Sequence, residues 1–419
     1  MQRGRWRKRG IGGTRVGQAL GGSGDKKMMS FDPCEGKIVS KLHFCYKRTV
    51  VEKQKSPLIG PRMTFPRIFT SFRNLSKLST PPPMSWRPTG KLQKTLASEV
   101  SRSGTGLHSG ASTTAKLFPA MAGEGRFFLC RSGTGNRGRS LLRIPARIDW
   151  VSESVLCTTL SRDTDGVRVR TVEHLLSALE ATGVDNCGIQ MVAGDEVPML
   201  DGSARGWLEA IEEAGLCVAK DQNGDTMEKL EPLLNEPVTV WKNDSFIAAF
   251  PSPKLHITYG IDFPQVTAIG CQWFSCSPLD DSVYAMEISS SRTFCIYEEI
   301  EKLRKAGLIQ GGSLENAIIC SDWRRRPAGR CKQMTTTTTM QVAKEWSSGN
   351  DGACARTGWL NPPLRFHDEP CRHKVLDLIG DLSLFSRDGH QGLPVAHVVA
   401  YKAGHSLHAE LVQHLSCLH

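Results

Sequence analysis

The charge of this 419-residue chain is confined to one end, and that confinement limits which part of it can fold. Residues 1–90 hold 19 Lys and Arg against 4 Asp and Glu, a net of +15, whereas the rest hold 34 against 38, a net of −4. A block of like charge repels itself and resists packing. The core must therefore come from the later part of the chain, which is long enough for two ordinary domains. The formal net charge of +11 suggests a nucleic-acid partner, but such a protein carries its basic patch on the folded body, and here the body is slightly acidic. Nucleic acid is not an expected partner. Hydrophobic residues at 39% and charged residues at 23% suit a globular body. No apolar run reaches the roughly 18 residues a membrane span needs. Fourteen cysteines include no CxxC pair, so reduced, mostly buried thiols are expected rather than a disulfide scaffold or a four-cysteine zinc cage.

Residues 1–62 are irregular, Gly-rich and then basic. From Met63 to Thr80 the chain interleaves Arg67, Arg73 and Lys77 with Ser, Thr and apolar residues, and no acidic residue follows Met63 until Glu99. This is the composition of an organellar transit peptide. The expected destination is the mitochondrion, with the plastid as the alternative, and Met63 is the expected start of the precursor. Pro81-Pro82-Pro83 is expected to be a linker, with residues 1–90 disordered and the folded body opening near Lys91.

Along the body, strand-like and helix-like stretches alternate without a regular βαβ rhythm, which predicts an α+β fold of two domains, residues 91–228 and 229–419. Arg143–Val151 reads as a strand, as do Val167–Arg170 and Cys187–Val192. Thr171 is the expected cap of a helix over Val172–Glu180 that stops near Gly183, and Gly206–Ala214 is an amphipathic helix ended by Gly215. In the second half, strands are expected near Val238, Ile257 and Ala317–Cys320, and a helix over Tyr297–Ala306. Asp368 and Pro370 open a helix running to about Phe385, and Pro394–Tyr401 is a strand ending at Gly404. Residues 322–357, with Arg324-Arg-Arg and five threonines from Thr335, fit neither pattern and read as an atypical low-complexity insertion.

Three short pieces carry chemistry. His373, Asp377 and Asp381 are spaced by four and share one helix face. A His and an Asp one turn apart suit zinc, although such a stripe is more often a solvated or hydrogen-bonded face. Glu173-His174, at a helix start, offers a general base and a third ligand. His405 follows a strand and a glycine, so it is expected on a loop at a strand end, where catalytic groups are common. Each piece alone has an ordinary explanation. Together they supply three ligands, a base and an acid, a complete hydrolytic zinc site with one open position. His43, His256, His390, His408, His414 and His419 lie outside these pieces and are expected to be ordinary histidines.

From about Thr95 to the C-terminus, 322–357 apart, the chain resembles the UDP-3-O-acyl-N-acetylglucosamine deacetylases. The resemblance rests on Ser103-Gly-Thr-Gly-Leu-His-Ser-Gly, Leu156-Cys-Thr-Thr-Leu, Thr171-Val-Glu-His-Leu-Leu-Ser-Ala-Leu and Val197-Pro-Met-Leu-Asp-Gly-Ser-Ala. It continues through Ser291-Arg-Thr-Phe, Gly311-Gly-Ser, Arg372-His-Lys-Val-Leu-Asp-Leu-Ile-Gly-Asp and Tyr401-Lys-Ala-Gly-His. It implies two similar domains, each a β-sheet packed on helices, with small inserted subdomains and the active site between them. It implies Zn²⁺ on His174, His373 and Asp377, Glu173 as general base and His405 as the acid serving the leaving amine. Asp381 would orient His405, Thr293 would stabilise the oxyanion, and Lys374 would bind substrate and stabilise charge. Leu156, Phe294, Gly312 and Ser313 would also contact substrate, and Tyr297–Ser313 would form the apolar passage for the acyl chain. The expected reaction removes the N-acetyl group of a UDP-linked acylated N-acetylglucosamine, the committed step of lipid A synthesis, in a monomeric, nucleus-encoded enzyme. A zinc amidase for another N-acetyl substrate, or an inactive member of the fold, is the alternative.

Overall fold

The computed structural model describes residues 81–131, 141–162, 164, 166–280, 282–320, 358–359 and 363–418. The transit-like stretch before Thr80 and the 322–357 insertion lie outside the described residues.

The chain enters through β1 (Met84–Leu92) and β2 (Lys94–Leu96), ahead of the expected opening at Lys91, because β1 is paired antiparallel along the later strand Glu228–Leu234. Four strands follow: β3 (Val100–Thr105), β4 (Ser112–Pro119), β5 (Arg126–Arg131) and β6 (Leu141–Pro145). A small three-stranded insert, β7 (Val151–Glu153), β8 (Thr159–Arg162) and β9 (Val167–Val169), leads to helix α1 (Glu173–Ala181), strand β10 (Cys187–Ala193) and helix α2 (Arg205–Ala214). After β11 (Leu216–Val218) and β12 (Glu228–Leu234) the plan repeats: β13 (Val238–Lys242), β14 (Ser245–Pro251), β15 (His256–Phe263) and β16 (Gly270–Cys276). Its insert is β17 (Phe294–Ile296), α3 (Tyr297–Lys305) and β18 (Ile318–Cys320); then come α4 (Glu369–Leu382), β19 (Ala396–Tyr401) and α5 (His405–Ser416).

The two main sheets have the same order, β3-β4-β10-β5-β6 and β13-β14-β19-β15-β16. In each, the last strand slots between the second and third, antiparallel to one and parallel to the other. The described residues fall in one compact unit, and within it the α+β class expected from the sequence is realised twice. β19 shows the period-two rule: Ala396, Val398 and Ala400 are buried, while His397, Val399 and Tyr401 are half-exposed on the other face. Helices α1 and α4 pack on each other, and α4 also lies against β15 and β16. Leu175, Leu176 and Leu179 from one helix and Val375, Leu376, Ile379 and Leu382 from the other are at most 1% exposed. Burying each such side chain contributes roughly 1.5–3 kcal/mol, which holds the pair at the centre of the fold.

Local readings needed correction where tertiary partners intervene. The Arg143–Val151 stretch is not one strand; β6 stops at Pro145, which cannot donate to a ladder, and a 3₁₀ turn over Ile148–Trp150 precedes β7. Thr171 does not cap α1. Its backbone is left-handed (φ 58°), its hydroxyl donates to Glu196, and Val172 holds the cap position. Asp368 sits at the cap of α4, but its carboxylate takes Arg372 Nε at 2.6 Å instead of a backbone amide. His405 is not on a loop; it is the first residue of α5, directly after Gly404.

Candidate active site

The stripe of His373, Asp377 and Asp381 on α4 is buried, each residue at most 2% exposed. It is not a solvated face because the first turn of α1 lies across it. Gly380 permits the approach: a Cβ there would stand 2.1 Å from the Glu173 carbonyl oxygen. Glu173 and His174 are thereby brought to residues some two hundred positions later in the chain.

His174 Nε2 lies 3.4 Å and His373 Nε2 3.3 Å from Asp377 Oδ1, and the two imidazole rings stand nearly perpendicular, with centroids 5.0 Å apart. His373 Nδ1 donates to the Ser291 carbonyl at 3.0 Å, so its Nε2 presents a lone pair to the cluster. Burial lowers the His373 pKa to about 3, which keeps the ring neutral. Asp377 Oδ2 accepts from Lys374 Nζ at 2.8 Å, but its buried Oδ1 has no hydrogen-bond partner. One ligand atom from each of the three residues lies within 4.8 Å of the others. A buried carboxylate oxygen left unpartnered between two imidazoles is costly unless a cation completes it. With bonds of about 2.0–2.1 Å, ligand atoms of a tetrahedral zinc stand about 3.3 Å apart, so His174, His373 and Asp377 fit such an ion.

Beside this cluster, Glu173 Oε2 accepts the Thr158 amide at 3.1 Å, and Glu173 Oε1 lies 3.9 Å from His405 Nε2. Burial is the main influence on Glu173 and raises its pKa, which suits a carboxylate meant to take up a proton. His405 Nδ1 donates to Asp381 Oδ2 at 2.7 Å, and His405 Nε2 stands 3.8 Å from Asp377 Oδ2. Burial opposes charging His405, but the carboxylates of Asp381, Asp377 and Glu173 outweigh it and raise the pKa to about 9. Burial likewise opposes ionising Asp381, and His405 and His408 outweigh it, giving about 2.

The other expected residues lie at varying distance from this centre. Thr293 is two residues beyond the Ser291 carbonyl that fixes His373. Its amide donates to Gly202 O at 2.7 Å, and the adjoining Arg292 is paired with the fully buried Glu369. Phe294 packs edge-on against Phe263, with Lys374 Nζ 5.9 Å from its ring centroid. Leu156 is exposed on the loop before Thr158. The segment of Gly312 and Ser313 is fastened elsewhere: Gly311 N donates to Leu107 O, and Ser313 N to Asn316. Sequence reasoning missed Thr158, whose hydroxyl donates to Asp381 Oδ1 at 2.5 Å, and His408, whose Nδ1 meets Asp381 Oδ2 at 2.8 Å. The one available signal for His408 was its place three residues after His405, on the same face of a helix.

The sequence profile of the family described as UDP-3-O-acyl N-acetylglycosamine deacetylase matches residues 93–329 and 323–417. The chain belongs to the UDP-3-O-acyl-N-acetylglucosamine deacetylase family. The two stretches of this deacetylase match meet inside the 322–357 segment. Among its relatives, the probable UDP-3-O-acyl-N-acetylglucosamine deacetylase 1, mitochondrial, of Arabidopsis thaliana is 49% identical over 361 residues, covering 85% of this chain and 97% of that protein. Bacterial deacetylases of the same name are also similar. That of Thermosynechococcus vestitus is 43% identical over 323 residues (77% of this chain, 93% of that protein), and that of Trichormus variabilis 42% over 329 residues (78% and 99%).

Proposed function

We propose that this chain hydrolyses the acetamide of a UDP-3-O-acyl-N-acetylglucosamine to the free amine and acetate, the committed step of lipid A synthesis, with a zinc ion on His174, His373 and Asp377. The observation that carries the reading is the unpartnered Asp377 Oδ1 buried between two imidazole Nε2 atoms, with Glu173 and His405 beside it. When bound, zinc supplies Lewis-acid polarisation of the carbonyl and acidifies water at neutral pH. Glu173, its Oε2 held by the Thr158 amide, takes the proton of the attacking water. The Thr293 hydroxyl and the Lys374 ammonium stabilise the negative charge that develops on the carbonyl oxygen. His405, protonated and held through Nδ1 by Asp381, delivers its Nε2 proton to the amine as the C–N bond breaks. An amine leaves poorly unless protonated, so an acid separate from the base makes chemical sense. Leu156, Phe294, Gly312 and Ser313 are assigned to substrate contact, residues 91–228 and 229–419 to two domains, and the chain to a monomer.

The mitochondrial designation of the Arabidopsis relatives, with the basic, acid-free stretch after Met63, supports delivery to mitochondria. The test is to measure zinc in the purified full chain and turnover of acylated and non-acylated UDP-N-acetylglucosamine. One zinc per chain and turnover of the acylated substrate alone are expected. Equal turnover of both would redirect the assignment to another N-acetyl substrate, and a chain with neither zinc nor turnover would end it.

A further inference from the structure

His408, fully buried, lies one turn beyond His405 on α5 and touches the machinery without a part in it so far. Its Nδ1 is 2.8 Å from Asp381 Oδ2, the same oxygen that takes the His405 Nδ1 proton at 2.7 Å. Its Nε2 is 3.0 Å from the Tyr259 hydroxyl, and that hydroxyl is 2.7 Å from the Ala403 carbonyl. A neutral imidazole that donates through Nδ1 to Asp381 accepts at Nε2, so the single phenol proton of Tyr259 lies between that nitrogen and the Ala403 carbonyl. Both ring nitrogens of His408 are thus engaged, Nδ1 as donor and Nε2 as acceptor. Tyr259 is itself fully buried in β15. On the other side of the carboxylate, the Thr158 hydroxyl donates to Asp381 Oδ1.

Asp381 therefore accepts from three donors, two one turn apart on α5 and the third, Thr158, on the loop before β8. We propose that His408 is a positioning residue for the deacetylation. Braced by Tyr259 and opposed by Thr158, it locks the Asp381 carboxylate in the orientation that receives His405 Nδ1. That lock turns His405 Nε2 toward Glu173 and Asp377, 3.9 and 3.8 Å away. Without His408, Oδ2 keeps one partner instead of two and the carboxylate can rotate, carrying His405 with it. The inference rests on the deacetylase reading of the site.

The test compares His408→Asn and His408→Leu in the full, zinc-loaded chain. The Asn amide nitrogen sits where the histidine Nδ1 sits along the side chain, so it preserves the bond to Asp381; Leu fills the space without a donor. A packing role ranks Leu above Asn, and a positioning role ranks them the other way. Expected for His408→Leu is a loss of roughly 10–100-fold in kcat, the range for removing an outer partner of a site residue, with KM and the zinc content unchanged. His408→Asn is expected to stay within about threefold of the original chain, since it restores that partner. Wild-type turnover by His408→Leu, or an equal loss in His408→Asn, overturns the proposal. A second readout does not need turnover: the downfield Nδ1 proton resonance of His405 should persist in His408→Asn and vanish in His408→Leu. Its persistence in His408→Leu overturns the bracing. An original chain that never deacetylates removes the proposed function instead, while the resonance still decides the bracing.

Discussion

Replacing Gly380 by Ala sets two physical effects against each other, and the geometry says which wins. By helix propensity alone, Ala in the last turn of α4 is better than Gly by up to about 1 kcal/mol. The new Cβ, however, would stand 2.1 Å from the Glu173 carbonyl oxygen, 2.8 Å from its carbonyl carbon and 3.0 Å from its Cα. Those are backbone atoms, so no side chain can swing aside. Restoring ordinary contact distances requires α1 to retreat by about 1 Å. Overpacking of this kind costs roughly 1–3 kcal/mol, of which the propensity gain offsets up to about 1, and a net loss of up to about 2 kcal/mol should lower Tm by up to roughly 8 °C. The catalytic consequence is larger. The retreat moves Glu173 and His174 away from His373 and Asp377, and a 1 Å misplacement costs about 100-fold in rate. Thermal unfolding, bound zinc and kcat measured on Gly380→Ala check the argument. A variant with higher Tm and unchanged kcat would show that the close approach of α1 and α4 does not build the site.

Other outcomes follow from the same geometry. His405→Ala should lower kcat by about 10²–10⁴-fold while zinc per chain stays constant, and near-wild-type turnover would remove His405 as the acid. Chelation should abolish turnover and lower Tm, because a ligand that binds only the folded chain stabilises it; re-adding zinc should restore both, and a Tm indifferent to chelation would speak against a resident metal. Glu180 accepts from Arg126 and from the amides of Gly392 and Leu393 at 2.9 and 3.0 Å. Glu180→Ala should therefore cost about 3–5 kcal/mol in denaturant unfolding by leaving Arg126 buried and unpaired. Burial opposes ionising Glu180, but Arg126 and Lys229 outweigh it and hold the carboxyl below its ordinary value of 4.5. Its stabilisation is therefore complete above about pH 4.5 and fades as pH falls through the folded value. The midpoint of the original chain should drop with acid more steeply than that of Glu180→Gln, and equal slopes would exclude the pair as an acid-labile element.

The sequence alone determined much of this protein, because several of its signals are short-range. Spacing by four put His373, Asp377 and Asp381 on one face, period two over Val167–Arg170 marked β9, and Gly183 and Gly215 ended α1 and α2. The order of its motifs along the chain carries the family resemblance. Tertiary structure decided whether the His/Asp face meets water or another helix, since that depends on α1 reaching α4 over the bare backbone of Gly380. It also decided that Thr171 serves Glu196 instead of capping its helix, that His405 opens α5, and that His408 shares the carboxylate of Asp381. Local spacing specifies which side chains can point the same way, but the partners of a buried polar group come from distant segments, and only their packing determines which donor meets which acceptor.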